Sequence, residues 1–194
     1  KPRQFAVITS LVLLVMVALL PTLKATGIST LDGFTKKPKS LLGQELLLKH
    51  FPGGQSQPTQ TLVAKDKSAE VIAAVAKVPG VATVAPEIQN PATNISTEVN
   101  GNIVLDATLK YPADSSQARG VIPDIRTAVQ AIDAKALVGG ISATFHDVDV
   151  AAKHDRNLII PIVLIIIAII LALLLRSIVA AVVLLLTVIL SFAA

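Results

Sequence analysis

Two apolar blocks, one near each end of the chain, most constrain how it can fold. The C-terminal block covers residues 158–194, and 32 of its 37 residues are apolar. As a single helix rising ~1.5 Å per residue it would be roughly 55 Å long, well beyond a bilayer core of ~30 Å. The block must therefore fold back on itself, and Arg176-Ser177 is its one credible turn.

The two blocks predict two transmembrane helices, over residues 5–23 and within 145–175, and the start of a third over 178–194. Basic residues precede the first block, so a signal peptide is the alternative interpretation there. Because Arg176 and Ser177 separate two apolar runs, we expect them to lie at a membrane surface rather than in hydrocarbon. The part of 145–175 before residue 158 is predicted to be a juxtamembrane helix that continues into the second span.

The residues between the blocks, 24–157, have the composition of a soluble domain. They hold all 13 acidic residues of the chain and 14 of its 17 basic residues, so they are close to neutral. Aromatic residues make up only 3% of the chain, which removes base-stacking surfaces and argues against nucleic-acid binding. The absence of cysteine excludes disulfides, thiolate zinc sites and cysteine nucleophiles.

Residues 24–58 are predicted to form a connector that contains one short amphipathic helix. Apolar residues recur in it at helical spacing. The helix is expected to end at a helix-stop motif, Phe51-Pro52-Gly53-Gly54, because proline and glycine cannot continue it.

Residues 59–144 alternate between strand and helix patterns. We expect strands at 61–64, 81–88, 103–111 and 136–138, helices at 68–78 and 116–132, and a loop at 89–102. Ser68 is predicted to be the N-cap of the first of these helices. The order is that of a ferredoxin-like, split βαβ unit with both helices on one face of a four-stranded sheet. The predicted fold class is therefore an α+β membrane protein.

Gly139 and Gly140 lie between the last predicted strand and the helix that approaches the membrane. We interpret them as a candidate hinge, through which movement of the domain would pull on the membrane helix.

Patterns that could carry catalysis or metal binding are incomplete. His146 and Asp149 share a helical face, but no convincing third metal ligand accompanies them. The run 140–144 begins like a nucleophile elbow but has Thr144 where the final glycine belongs, and no base can be assigned to it. The sequence therefore predicts no enzyme activity, no catalytic residues, no metal and no cofactor.

A series of short motifs resembles the MMPL-type transporters of the RND superfamily. In chain order they are His50-Phe51-Pro52-Gly53-Gly54, Val78-Pro79-Gly80-Val81, Leu137-Val138-Gly139-Gly140-Ile141-Ser142-Ala143, Ile160-Pro161 and Leu174-Leu175-Arg176-Ser177-Ile178-Val179-Ala180. Asp147 and Asp155 follow the third motif, as family-like juxtamembrane carboxylates. The resemblance covers essentially the whole chain.

This resemblance implies an exporter of lipids or other hydrophobic molecules that uses the proton gradient. It implies a multi-pass protein of the inner or plasma membrane, with residues 24–157 outside as a porter domain and Arg176-Ser177 as a cytoplasmic turn. Flanking charges alone leave this orientation open. Phe145 and apolar side chains of the porter helices are natural candidates for contacting a lipid.

The partners implied are membrane lipids, a hydrophobic substrate, and the rest of the same transporter with its missing helices and second porter domain. The chain is interpreted as a piece of that larger protein, and a homo-oligomer stays open. Two other functions also remain: a membrane-anchored extracytoplasmic interaction or sensor domain without transport, and a protein-translocation accessory of the same superfamily.

Overall fold

The computed structural model describes residues 2–19, 22, 33–36, 38–90 and 95–193. The chain divides into two compact units. The helical unit consists of Lys1–Thr26 and Ala151–Ala194, and the sheet unit is Gly27–Val150.

Six α-helices and seven strands are formed in the described part of the chain. In order they are α1 (Pro2–Leu19), α2 (Lys39–His50), β1 (Thr59–Ala64), α3 (Ser68–Val75), β2 (Val81–Pro86), β3 (Ile88–Asn90), β4 (Ile95–Ser96), β5 (Glu98–Val99), β6 (Asn102–Leu109), α4 (Ser116–Gln130), β7 (Leu137–Gly139), α5 (Ile141–Leu175) and α6 (Ile178–Ala193).

The helical unit contains α1, α6 and most of α5. Among the described helices, only α5 is by itself long and apolar enough to cross a membrane. The apolar runs of α1 and α6 are shorter, at Val7–Leu19 and Ile178–Phe192. The first predicted span reaches residue 23, but α1 ends at Leu19 and residues 20, 21 and 23 lie outside the described residues.

The sheet unit is built on an antiparallel sheet with the strand order β2-β6-β1-β7, and β5 pairs with one end of β6. Strands β1 and β6 form its centre, in a register that runs from Thr59 opposite Ala107 to Ala64 opposite Asn102. Strands β3 and β4 form a separate two-stranded sheet. Side chains along β6 alternate between buried and half-buried, so one face of the sheet is covered and the other is partly open.

The hydrophobic core lies between the covered face and helices α3 and α4. Val71 and Val75 of α3 and Ile125 and Val129 of α4 are at most 1% exposed, and they pack with Leu105 and its neighbours on the sheet. Each fully buried side chain of this size stabilises the fold by about 1.5–3 kcal/mol.

The prediction of a loop over 89–102 is wrong. The segment contains β3, β4 and β5, and the last of these turns back into β6 through Asn100 and Gly101. Both turn residues have positive φ, 52° and 78°. Those angles are what a two-residue hairpin turn of type I′ needs, and Asn-Gly is its strongest sequence signal.

The predicted N-cap at Ser68 is also wrong, although the helix itself is present. Lys67 occupies the cap position of α3, and the Ser68 hydroxyl donates to the carbonyl of Lys65 at 2.7 Å. Helix α4 does have a serine cap, because the amide of Ala118 donates to the Ser115 hydroxyl at 3.1 Å. Such a cap is worth about 1 kcal/mol.

Candidate functional site

Helix α2 forms one wall of a region that contains two cavities. It ends at His50 because Phe51 adopts an extended backbone, with φ −129° and ψ 151°, and Pro52 follows. The amide of Phe51 still donates to the carbonyl of Leu47 at 2.8 Å, which closes the last turn. The structure therefore places the helix-stop motif directly after α2.

Gly53 and Gly54 attach this motif to the end of β6. Their amides donate to the carbonyls of Lys110 and Leu109, at 3.1 and 3.0 Å. A Cβ on Gly53 would lie 2.5 Å from the backbone nitrogen of Pro112, and one on Gly54 would lie 2.8 Å from that of Leu109. Only glycine allows the two backbones to come this close.

The first cavity lies beside α2 and the residues that follow it, and its volume is about 320 Å³. Its wall combines large apolar side chains with uncharged polar ones. The lining residues are Gln44, Leu47, Leu48, Phe51, Pro52, Gly53, Gln55 and Ser56.

The second cavity has a volume of about 550 Å³ and reaches from α2 to the first turns of α5. Phe145, a candidate lipid contact from the sequence, lies in its wall. The lining residues are Phe34, Ser40, Leu41, Gln44, Gly53, Ser56, Gln57, Pro112, Ala113, Asp114, Ile141 and Phe145.

Gln44, Gly53 and Ser56 line both cavities, so the two spaces adjoin along these residues. We refer to the two together as the α2 groove. Among the described residues that line it, Asp114 is the one acidic or basic side chain. Volumes of this size and a mainly apolar wall are typical of small-molecule sites. The α2 groove can therefore hold an apolar molecule that carries a few uncharged polar groups.

The first turn of α5 is fixed against the wall of the α2 groove. Ser142 is 1% exposed, and its hydroxyl donates to the carbonyl of Ala113 at 2.9 Å. Gly140 precedes the helix with φ 97°, and a Cβ there would lie 3.0 Å from the carbonyl oxygen of Pro58. Gly139 has nothing within 4 Å of such a Cβ. The two glycines of the candidate hinge therefore differ: the backbone conformation at position 140 requires glycine, and that at position 139 does not.

Two ion pairs connect α4 to the start of α5. Arg126 donates from Nη1 and Nη2 to the two carboxylate oxygens of Asp147, at 2.6 and 2.8 Å. Arg119 Nε lies 3.1 Å from Asp149 Oδ2. Asp155, the other family-like carboxylate, lies further along α5 at an exposed position in the helical unit. The structure therefore gives Asp147 and Asp155 different surroundings.

The turn between α5 and α6 consists of Arg176 and Ser177. Arg176 has a φ of 49°, in the left-handed region that ends many helices. The amide of Ala180 donates to the Ser177 hydroxyl at 3.3 Å, so Ser177 caps the following helix.

Two aspartates of the sheet unit have pKa values that are shifted in opposite directions. Burial, and then repulsion from Glu87, raise the pKa of Asp106, which lies on the half-open sheet face near Gln60. Its Oδ1 is buried without a hydrogen-bond partner among the described residues. The amides of Ala64 and Lys135 each donate to the Asp133 carboxylate at 3.1 Å, and they lower its pKa.

The profile of the MMPL family matches residues 35–194, which covers α2, the whole sheet, both ion pairs and the turn at Arg176. The chain belongs to the MMPL family. Membership agrees with the resemblance found in the motifs, and it makes this chain part of a family of membrane proteins.

Two relatives of this MMPL chain occur in Streptomyces coelicolor. The protein ActII-3 is 42% identical over 166 residues, which cover 84% of this chain and 22% of ActII-3. The protein SCO0839 is 38% identical over 166 residues, which cover 84% of this chain and 24% of SCO0839. The chain therefore spans less than a quarter of the length of either relative.

In this MMPL chain, the sequence pointed to two parts of the α2 groove, the helix-stop motif and Phe145. It did not point to Gln44 and Ser56, the polar residues that line both cavities. Gln44 and Ser56 belong to no motif, and they line the same cavities where Gly53 and Gly54 bond to the end of β6. The one sequence signal was indirect: three uncharged polar residues, Gln55, Ser56 and Gln57, directly follow the helix-stop motif.

Proposed function

We propose that this chain is part of an RND-type, proton-driven exporter of lipids or other hydrophobic solutes. In this proposal the sheet unit is a porter domain, and the α2 groove forms part of the extracytoplasmic substrate path. The α2 groove is the observation that carries the proposal. It offers apolar walls of sufficient volume for a hydrophobic molecule, on a chain whose family is one of membrane proteins.

The strand order of the sheet supports a ferredoxin-like porter domain. The four main strands follow the sequence order β1, β2, β6 and β7, and they lie side by side as β2-β6-β1-β7 with every pair antiparallel. Helices α3 and α4 provide the two crossovers and pack on one face. This arrangement is consistent with a split βαβ unit.

The proposed topology places residues 24–157 outside the cell membrane and Arg176-Ser177 on the cytoplasmic side. The exposed apolar surface of α5 beyond residue 157 favours a membrane environment for that part of the helix. Residues 5–23 and 178–194 would supply further spans. This would make the full protein multi-pass, as an exporter of this class requires.

The coupling to protons would come from other parts of the transporter. None of the three proposed spans in this chain contains Asp or Glu, the side chains best suited to bind and release a proton within a membrane. The proposed partners are therefore the remaining helices, a second porter domain and membrane lipids. We assign no catalytic step and no cofactor to this chain.

The proposal is tested by comparing two leucines on α2 in the full-length protein. Leu47 lines the α2 groove and is 53% exposed, while Leu46 is 58% exposed and lines neither cavity. Leu47→Gln is expected to reduce efflux of a hydrophobic fluorescent dye from cells several-fold, because it places an amide on an apolar wall. Leu46→Gln is the matched control and should leave efflux unchanged.

A protonophore added to the same cells should abolish the efflux that the wild-type protein supports. Efflux that continues without a proton gradient would rule out proton-driven export. Equal efflux by the Leu47 and Leu46 variants would contradict the proposal that the α2 groove is part of the substrate path. If the full-length protein supports no efflux of any hydrophobic probe, the sensor interpretation becomes the better one.

A further inference from the structure

We propose that Gln44 and Ser56 are specificity-determining residues, which select an uncharged amphiphile by hydrogen bonding to its neutral polar group. This inference rests on the proposed function, since it names the class of molecule that the α2 groove accepts. We refer to Gln44 and Ser56 together as the polar waist.

The position of the polar waist is the first argument. Gln44 and Ser56 line both cavities, whereas the large apolar side chains divide between them. Leu47, Leu48 and Phe51 lie in the wall of the first cavity only, and Phe145 and its apolar neighbours lie in that of the second. A molecule that occupies both cavities would therefore place its middle at the polar waist and an apolar part on each side.

The charge of the wall is the second argument. The described residues that line the two cavities include no lysine, arginine or histidine, so no cation is in place to neutralise an anionic group. Asp114 is the single carboxylate, and it already takes part in another interaction of the protein. Because an unpaired charge loses hydration when it is enclosed, a charged amphiphile would bind at a cost that a neutral one avoids.

The chemistry of the two side chains is the third argument. The Gln44 amide both donates and accepts hydrogen bonds, and the Ser56 hydroxyl does the same. Neither side chain hydrogen-bonds to another residue within the described part of the chain. Hydroxyl, ester and amide groups are the uncharged partners that such a pair can satisfy. The favoured ligand is thus a neutral amphiphile such as an acylglycerol.

The test uses the full-length protein in nanodiscs and a photoreactive analogue of 1-lauroylglycerol. Saturable crosslinking to peptides that contain residues 39–57 reports occupancy of the α2 groove. Three unlabelled competitors share a twelve-carbon chain and differ in the head group: 1-lauroylglycerol, laurate and dodecylamine. The glycerol ester is expected to compete roughly fivefold better than either charged compound, as one net hydrogen bond would allow.

Gln44→Leu keeps a similar volume and removes the amide, so it should lower the preference for the neutral competitor towards onefold. Gln130→Leu is the matched control, because Gln130 is exposed on α4 and lines neither cavity. Wild-type protein that binds the three competitors equally, or binds the amine best, would overturn the inference and leave the proposed function standing. A preference that persists in Gln44→Leu would also overturn it. If no probe crosslinks saturably to residues 39–57, the proposed substrate path fails, and the inference fails with it.

Discussion

The guanidinium of Arg126 donates two hydrogen bonds to the carboxylate of Asp147, at 2.6 and 2.8 Å, in a bidentate contact. Nη2 of the same arginine also reaches the carbonyl of Val138, at 3.4 Å. One side chain of α4 therefore contacts both β7 and the second turn of α5. Arg126 is therefore one of the two α4 arginines that pair with the start of α5, and the one that also reaches β7.

Arg126→Lys is expected to weaken this connection, because an ammonium cannot form the two-pronged contact of a guanidinium. Asp147 is more than half exposed, so the loss should stay below about 1 kcal/mol. Hydrogen exchange of the full-length protein should show faster exchange in peptides from residues 141–150, with the rest of the sheet unit unchanged.

Asp155→Asn is the control for this experiment. Asp155 lies on the same helix, and it forms no ion pair with any of the described residues. Its substitution should leave exchange in 141–150 unaltered. Faster exchange in both variants would mean that the start of α5 also responds to a substitution that does not touch the Arg126–Asp147 contact, and would contradict a specific role for that contact.

Asp106→Asn and Asp133→Asn are expected to change stability in opposite directions at pH 7. The raised pKa of Asp106 means that its ionised form is disfavoured in the folded protein, so a neutral amide should stabilise the sheet unit. The lowered pKa of Asp133 reflects two amides that hold the ionised form, so replacement by an amide should destabilise it.

The pH dependence separates these two effects. The contribution of Asp133 is present above its unfolded pKa of about 3.9 and is lost as the pH falls through its lower folded value. The contribution of Asp106 is present below about 3.9 and is lost as the pH rises through its higher folded value. Hydrogen exchange between pH 4 and 7 should therefore show Asp106→Asn approaching wild type at the acidic end. The difference between Asp133→Asn and wild type should stay nearly constant over this range, because it closes only below about pH 4. A constant difference for Asp106→Asn, or a difference for Asp133→Asn that closes well above pH 4, would contradict the corresponding pKa shift.

Much of the sheet unit was predictable because its local patterns agree with its final packing. Helix α4 has buried residues at helical spacing and a serine cap, and both features are visible in the sequence. Strand β6 alternates strictly, so its buried face could be assigned before the structure was known. The start of β1 was not predictable in the same way. Thr59 and Thr61 are buried polar residues whose place depends on pairing with β6.

The α2 groove could not be predicted from local sequence patterns, because three distant parts of the chain form it. Gln44 on α2, Pro112 after β6 and Phe145 on α5 come together only in the tertiary structure. The helix-stop motif was recognised as the end of a helix. Its second role, which is to attach α2 to the sheet, depends on the close backbone contact at Gly53 and has no separate sequence signal.

Gly53→Ala and Gly54→Ala are expected to detach α2 from the end of β6. Each new Cβ would meet backbone atoms within 3 Å, and backbone cannot move aside cheaply. Overpacking of this kind costs about 1–3 kcal/mol. Gly43→Ala is the matched control, because a Cβ there has nothing within 4 Å and should stabilise α2 by roughly 0.5–1 kcal/mol. Hydrogen exchange in residues 39–50 of the full-length protein should rise in the first two variants and fall in the third.

The proposed topology predicts which single cysteines a membrane-impermeant maleimide can reach in intact cells. In a cysteine-free background of the full-length protein, Lys77→Cys should be labelled directly, since Lys77 is exposed in the sheet unit. Arg176→Cys should be labelled only after the membrane is permeabilised. Labelling of both in intact cells would place the two sites on the same side, and would contradict a membrane crossing within α5.

Gly139→Ala and Gly140→Ala test whether the glycine pair acts as a hinge or as a fixed turn. Gly140 has a positive φ and little space, so alanine there should destabilise the pairing of β1 with β7 by about 1–2 kcal/mol, seen as faster exchange in residues 58–64. Gly139 has neither constraint, so alanine there should leave exchange at the wild-type level.

If the pair is a hinge, Gly139→Ala should still reduce efflux, because a side chain restricts the angles that the hinge must sample. Wild-type efflux from Gly139→Ala would show that position 139 does not move during transport, and Gly140 would then be only a structural turn residue.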